Sequence, residues 1–226
     1  MQPGRLIVLE GPEGAGKTTQ LRLLAERLEG AGRKVLALRE PGGTPLGDAI
    51  RSILLDSAHE ITPAAEALLF MASRAEIVRL EIDPALNAGV VVLMDRFFLS
   101  TYAYQIGGRG LAEDQVRQAN ALATGGLVPD LTVVIDIAPS DGLARAANRG
   151  AHDRMERSGD EFHSKVAGAF SLFATEEWQR DHAECGPIVK VDGTGDAAVV
   201  HRRIVGALAQ NLPGEFGMLA EAGAGK

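Results

Sequence analysis

Short apolar runs recur along the chain, and each is followed by a longer segment in which apolar residues return every three or four positions. Runs without polar alternation are typical of strands that are buried on both faces of a parallel sheet. The runs are RLIVLE, KVLALR, GVVVLMD, LTVVIDI and PIVKVD. Their alternation with helical segments predicts an α/β fold with a five-stranded parallel sheet flanked by helices.

The segments between these runs predict the helices. In KTTQLRLLAERLEG the leucines share one face, and the helix should end at Gly30 or Gly32, because glycine commonly stops a helix. TPAAEALLFMASRAEIVRLEIDPAL predicts a long helix with Thr62 as its N-cap, Pro63 at its first position and Glu66 near the capping-box position. Further helices are expected over 98–105, 112–124, 139–149, 160–182 and 196–210.

Length and composition indicate one globular domain. The 226 residues suffice for a single domain with a buried core, and no shift in composition divides the chain. Hydrophobic residues make up 46% and charged residues 23%, which argues against wholesale disorder. After the last helical segment, NLPGEFGMLAEAGAGK loses its period and turns to Gly and Ala. We therefore expect one domain over 1–210 and a flexible tail over 211–226.

Net charge, hydropathy and cysteine content indicate which partners and which cellular compartment to expect. A formal net charge of −7 disfavours general nucleic-acid binding, which needs a basic face. No apolar run approaches the roughly 18 to 20 residues that span a bilayer, and the N-terminus lacks the pattern of a signal peptide. Cys185 is the only cysteine, so an internal disulfide is excluded. We expect a cytoplasmic protein with no nucleic-acid and no membrane partner.

The stretch GPEGAGKT carries the strongest signal for a ligand. Residues 11–18 satisfy G-x-x-x-x-G-K-[ST] between an apolar strand and an amphipathic helix, as a phosphate-binding loop requires. Backbone N–H groups and the helix N-terminus would hold phosphates, and the lysine would reach the β- and γ-phosphates of ATP. The predicted ATP-binding residues are Gly11, Pro12, Glu13, Gly14, Ala15, Gly16, Lys17, Thr18 and Thr19.

Two other classes of P-loop protein are disfavoured by their motifs. A GTPase switch needs D-x-x-G after the third strand and N-K-x-D, but the only D-x-x-G here begins at Asp192, after the last strand, and N-K-x-D is missing. A motor or transporter ATPase would be larger and carry a carboxylate pair after the Walker-B strand. Here Asp95 is followed at once by Arg96. This pair suits an acceptor that is itself a phosphate ester, although Arg96 in a surface ion pair remains the alternative.

Four motifs in one order and spacing resemble thymidylate kinases: the P-loop, REPGGTPLGDAIR, LLFMASRAE and DRFFLSTYAYQ. The resemblance runs from about Arg5 to Ala209. It implies the P-loop nucleoside monophosphate kinase fold with a lid, usually as a homodimer, and transfer of the γ-phosphoryl group of ATP to dTMP with Mg²⁺. Another P-loop (deoxy)nucleotide kinase and a non-catalytic nucleotide-binding regulator remain open as alternatives.

The resemblance also implies how the acceptor phosphate and sugar are held. Arg39 and Arg96 occupy the positions at which the family grips the 5′-phosphate, and REP suggests an unusual turn at Glu40-Pro41, such as a cis peptide. Glu13 would point out of the loop and help to place the 3′-hydroxyl or a cation, with a solvated glutamate in a turn as the alternative.

The remaining acceptor residues would recognise thymidine. Phe70 would stack on thymine, although LLFMA alone equally predicts helix core. Arg74 and Thr101 would contact the base edge, while Tyr104 and Gln105 would form the wall near the sugar. The predicted substrate-binding residues are Glu13, Arg39, Pro41, Phe70, Arg74, Arg96, Ser100, Thr101, Tyr104 and Gln105.

The P-loop brings no arginine, whereas in-line phosphoryl transfer commonly uses one to stabilise the moving charge. LARAANRGAHDRMERSGDEF resembles the family's lid, over about 145–160, and carries several arginines. Arg149 and Arg154 flank GAH, where a short loop could bend over the phosphates; a solvated arginine-rich loop is the alternative. The predicted catalytic residues are Lys17, Arg96, Arg149 and Arg154, and the predicted Mg²⁺ ligands are Thr18 and Asp95.

Overall fold

Five parallel strands form the central sheet of the computed structural model, which describes residues 4–56, 58, 60–147 and 154–221. The strands are β1 (Arg5–Glu10), β2 (Val35–Arg39), β3 (Val91–Asp95), β4 (Leu131–Asp136) and β5 (Ile188–Asp192). Their order across the sheet is β2-β3-β1-β4-β5, and each neighbouring pair is parallel. The sheet predicted from the apolar runs is confirmed.

Helices pack on both faces of this sheet. Leu6 and Val8 of β1 belong to the core on one face, while Ile7 and Leu9 belong to the core on the other, so the strand is buried on both sides. In the described part of the chain, no helix is both long and apolar enough to cross a membrane. The helices are α1 (Lys17–Gly30), α2 (Pro45–Leu55), α3 (Pro63–Ile77), α4 (Asp83–Asn87), α5 (Phe98–Thr101), α6 (Glu113–Thr124), α7 (Pro139–Ala147), α8 (Asp160–Phe173), α9 (Glu176–Asp181), α10 (Ala197–Asn211) and α11 (Pro213–Glu221).

The long helix predicted after Thr62 is present, but it is not α-helical throughout. α3 leads into a π-helical turn over Val78–Ile82, which leads into α4. Pro84 has no N–H to donate to the preceding turn, and the widened turn lies directly before it. Thr62 has the extended backbone of an N-cap, but its side chain makes no capping hydrogen bond. The Glu66 carboxylate bonds to arginines of other elements instead of closing a capping box.

Two helices predicted as single units are divided in the structure. The segment predicted over 160–182 ends as α8 at Phe173 and resumes as α9, because the Thr175 hydroxyl accepts a hydrogen bond from the Trp178 N–H (3.3 Å) and caps a new helix. The segment predicted over 98–105 consists of α5 followed by a π-helical stretch over Tyr102–Gly108.

The prediction of a flexible tail is wrong for residues 213–221, which form α11. Pro213 stands at the start, where its missing N–H costs nothing. Phe216 and Leu219 lie three positions apart and are buried in the core beside α10. This short apolar spacing was hidden among Gly and Ala. Residues 222–226 lie outside the described part of the chain.

Candidate active site

The carboxyl ends of β1, β2 and β3 meet at one cleft of about 290 Å³. Strand register places both Leu9 and Arg39 beside Asp95. A crevice at this edge of a parallel sheet is the usual ligand site of such folds. Of the predicted ATP-binding residues, the cleft is lined by Glu13, Gly14, Gly16, Lys17, Thr18 and Thr19. We call the opposite side the acceptor side because it is lined by predicted substrate-binding residues, namely Arg39, Pro41, Phe70, Arg74, Arg96, Ser100, Thr101, Tyr104 and Gln105.

The phosphate-binding loop folds around the Lys17 ammonium group. Nζ donates hydrogen bonds to the carbonyl oxygens of Gly11 and Pro12, both at 2.9 Å. Burial lowers the pKa of Lys17 to about 8, and an anionic phosphate in the loop would favour the charged form. Gly14 has a φ of 71°, and a Cβ there would collide with the Gly142 carbonyl. The loop therefore needs glycine at this position for both conformation and space.

Thr18 and Asp95 bring oxygen ligands together at the mouth of the loop. The Thr18 hydroxyl donates to Oδ2 of Asp95 at 2.5 Å. Within the described residues there is no group of three or more His, Cys, Asp or Glu side chains suited to holding a metal ion. Mg²⁺ in nucleotide sites keeps several waters and uses only one or two protein ligands beside the phosphates. The two side chains fit an ion of this kind.

Arg96 lies between the loop and the acceptor side of the cleft. Its φ of 72° is uncommon for a residue with a Cβ, and such strain is typical of functional sites. The guanidinium donates to Glu13 Oε2 and to Ser100 Oγ, each at 3.0 Å, and lies 5.2 Å over the Tyr104 ring. Burial opposes its charge, but Tyr104 and the nearby carboxylates raise the pKa of Arg96. The Glu13 carboxylate thus points out of the loop towards a permanently charged partner.

Glu10 fixes the segment that follows Arg96, and the sequence analysis did not identify this residue. The side chain is fully buried at the end of β1. Its carboxylate accepts hydrogen bonds from the backbone N–H groups of Phe97 and Ser100 and from the Ser100 hydroxyl, at 2.7 to 3.0 Å. A charged residue that ends an otherwise apolar buried strand was the available signal, because a buried charge needs partners.

Arg74 is almost completely buried on the acceptor side of the cleft. Its Nε and Nη2 donate to Glu40 Oε2 at 2.9 and 2.6 Å. Nη1 donates to Thr101 Oγ1 and Asn120 Oδ1 at 2.9 and 2.7 Å, and Nη2 also bonds to the Phe97 carbonyl at 3.0 Å. Burial raises the pKa of Glu40 in spite of this arginine. Arg74 therefore fixes Thr101 and Glu40 at the cleft, while its contact with a base remains a prediction.

The turn after β2 shapes the floor of the acceptor side. The predicted cis peptide at Glu40-Pro41 is confirmed. Ser73 Oγ accepts from the Gly42 N–H at 3.2 Å, and Arg51 Nη1 donates to the Pro41 carbonyl at 3.0 Å. Arg51 lines the cleft and was missed, although it ends the motif REPGGTPLGDAIR. It adds a cation to the side on which Arg39 lies.

Of the two predicted lid arginines, only Arg154 lies within the described residues. Arg149 lies outside the described residues. Arg154 Nε donates to the Leu54 carbonyl at 2.8 Å, and its Nη2 lies 2.6 Å from Glu66 Oε2. Arg145 Nη1 bonds to the Gly193 carbonyl at 3.4 Å. The next residue after Arg154, Met155, lines the cleft.

Comparisons with known proteins agree with this arrangement. A family model described as thymidylate kinase matches residues 9–185. The thymidylate kinase of Deinococcus radiodurans is 52% identical over 180 residues, covering 80% of this chain and 87% of the relative. Those of a Synechococcus species and of Caldanaerobacter subterraneus are 50% and 41% identical over 198 and 211 residues, covering 88% and 93% of this chain and 92% and 98% of the relatives. The chain belongs to the thymidylate kinase family.

Proposed function

We propose that this protein phosphorylates dTMP to dTDP with ATP and Mg²⁺, by direct in-line transfer of the γ-phosphoryl group. The observation that carries the proposal is the single cleft shared by the phosphate-binding loop and the acceptor residues. Lys17 lies on its donor side, while Arg39, Arg51 and Arg96 give its acceptor side a local positive charge in a protein of net charge −7. Two anionic substrates can meet there because these cations offset their repulsion.

The protein's part in the reaction is positioning and electrostatic stabilisation. The acceptor phosphate is already largely ionised at neutral pH, so no strong general base is needed. Arg39 and Arg96 would orient its attacking oxygen, and Lys17 would hold the β- and γ-phosphates. When bound with ATP, Mg²⁺ supplies charge neutralisation, and Thr18 and Asp95 would hold it. Enclosing the cleft would keep water from accepting the phosphoryl group.

We expect dTMP to be the preferred acceptor, by about 10-fold or more in kcat/KM over CMP and AMP. Phe70 offers a face for stacking, Arg74 fixes the Thr101 hydroxyl at the base end, and Tyr104 would crowd a ribose 2′-hydroxyl. The measurement is ADP formation in a coupled assay with ATP and a panel of dTMP, dUMP, CMP and AMP.

The same panel decides between the candidate functions. Turnover of CMP or AMP as fast as that of dTMP would indicate another nucleotide kinase. Binding of ATP and dTMP without ADP formation would indicate a nucleotide-binding regulator.

We further propose a homodimer that forms through α3 and its neighbours. α3 packs between α2 and α6, and these three helices expose Leu46, Ile53, Leu68 and Leu122. Leu68 is 63% exposed and Leu122 87% exposed. Large exposed apolar side chains on adjacent helices are typical of interaction surfaces, and a second copy of the chain would cover them by two-fold symmetry.

Light scattering after size-exclusion chromatography tests the dimer. Wild type should run as a dimer, and Leu68→Glu should shift it to a monomer because a charge would be buried at the interface. Leu172→Glu, at an exposed leucine of α8, is the matched control and should stay dimeric. A monomeric wild type, or a dimer in both variants, would contradict the proposal.

We also propose a cytoplasmic location. Cys185 is the only cysteine, and it is free and buried. Burial raises the pKa of its thiol, so the group is unreactive. A protein without disulfides suits a reducing compartment.

A further inference from the structure

Glu66 receives donors from three side chains that come from two other segments of the chain. It is fully buried on α3. Gln105 Nε2 donates to Oε1 at 2.9 Å, and Arg109 donates to Oε1 and Oε2 at 3.1 and 3.2 Å. Arg154 Nη2 lies 2.6 Å from Oε2. Glu66 belongs neither to the phosphate-binding loop nor to the predicted phosphate clamp, which consists of Arg39 and Arg96.

These contacts join two walls of the acceptor side. Glu66, Phe70 and Arg74 are spaced by four residues, so they share one face of α3. Gln105 lines the cleft on the opposite segment, and Met155 lines it next to Arg154. Loss of the Glu66 charge would remove the charged acceptor that Arg109 and Arg154, both mostly buried, share.

The carboxylate also fixes which end of the Gln105 amide can meet a ligand. An ionised carboxylate only accepts hydrogen bonds, so the amide must direct its NH₂ group to Glu66. The oxygen of the Gln105 side-chain amide then remains available to accept a hydrogen bond from a ligand. Thymine and uracil carry a donor at N3, whereas cytosine carries an acceptor there. The family resemblance places Gln105 near the sugar, but it lines the same cleft as Phe70, and an amide oxygen that reaches N3 would favour the first two bases.

We propose that Glu66 is a positioning residue for acceptor recognition, which sets the Gln105 amide and holds the 154–158 segment beside the base. The inference rests on the proposed function and deepens it by assigning part of the base selectivity to a residue that does not line the cleft. Donor binding should not depend on Glu66, because its partners lie on the acceptor side.

The Glu66 carboxylate stays ionised through the neutral pH range, so its positioning role does not change with pH there. Burial opposes ionisation, but the hydrogen bonds from Arg109, Gln105 and Arg154 lower the pKa of Glu66 overall. A carboxylate with a lowered folded-state pKa contributes fully above its unfolded value, and this contribution is lost only as the pH falls through the lower folded value. Glu66 is therefore ionised in any assay near neutral pH.

The test compares Glu66→Gln with Glu76→Gln, a matched charge change on the same helix at a residue that does not line the cleft. For Glu66→Gln, KM for dTMP should rise about 10-fold or more, as expected when a charge-assisted buried contact is lost, while KM for ATP stays within about 2-fold. The dTMP:dCMP ratio of kcat/KM should fall about 10-fold, and Glu76→Gln should resemble wild type. A variant with a lower Tm but unchanged KM and ratio would overturn the proposal.

A double-variant cycle tests whether Glu66 acts through Gln105. If it does, Glu66→Gln should add little to the dTMP:dCMP ratio already lost in Gln105→Ala, because both changes remove one interaction. Fold-losses that multiply would overturn this step. The wild-type acceptor panel is run first. Preference for another monophosphate would refute the proposed substrate alone, since the split between acceptor and ATP KM still tests Glu66.

Discussion

Replacing Arg96 with alanine is expected to lower kcat/KM for dTMP by roughly 30- to 900-fold, a loss of about 2–4 kcal/mol of transition-state stabilisation. The guanidinium is held at the cleft by Glu13 Oε2 and Ser100 Oγ and lies over the Tyr104 ring. Its removal takes a fixed cation from the place where two anionic substrates approach. It also leaves the Glu13 carboxylate in the cleft without this partner, which repels phosphate further.

Two further variants test whether the effect of Arg96→Ala comes from the lost guanidinium contact with phosphate. Arginine already carries a Cβ at the φ of 72°, so alanine adds no backbone strain there. Arg96→Lys should recover only part of the activity, because an ammonium group cannot reproduce the planar fork. Arg22→Ala removes a cation from an exposed pair with Glu26 and should resemble wild type. Near-normal kcat/KM in Arg96→Ala would show that the phosphate clamp lies elsewhere.

The sheet was predictable because its sequence signal is local and strong. The three central strands, β1, β3 and β4, are buried on both faces, so they appear as nearly unbroken apolar runs. The register of β1, β2 and β3 then brings the ends of three separate motifs to one edge. The phosphate-binding loop could likewise be located from spacing alone, because its glycines and Lys17 act within one short segment.

Residues whose roles depend on distant partners could not be assigned in this way. Glu66 stands one residue beyond the capping-box position of a helix capped at Thr62, but its carboxylate pairs with Arg109 and Arg154, which are far away in sequence. Glu10 is the last residue of β1, and its role depends on hydrogen bonds from backbone N–H groups of the segment that follows β3. In both cases burial of a charge is the consequence of tertiary contacts that no local pattern contains.

The lid arginines give the second large expected effect. Alanine at Arg149 or at Arg154 should lower kcat by about 10²-fold or more, within the range known for arginines that stabilise phosphoryl transfer. The change in dTMP affinity should be smaller for Arg149, because its contact would form chiefly in the transition state. Arg149 lies outside the described residues, so its expected role rests on the sequence alone.

Arg154 should show a second effect, because its guanidinium lies 2.6 Å from Glu66 Oε2 in this structure. A transition-state contact requires the Arg154 side chain to exchange Glu66 for the phosphoryl group. Because the pair with Glu66 also holds the 154–158 segment on the acceptor side, Arg154→Ala should weaken dTMP binding as well as turnover. Arg145→Ala is the comparison, since Arg145 bonds to the Gly193 carbonyl, directly after β5, and not to Glu66. Steady-state kcat and dTMP affinity by calorimetry distinguish the outcomes. If Arg154→Ala changes affinity but not kcat, Arg154 only positions the acceptor; if Arg145→Ala alone abolishes turnover, the transfer-stabilising cation is Arg145.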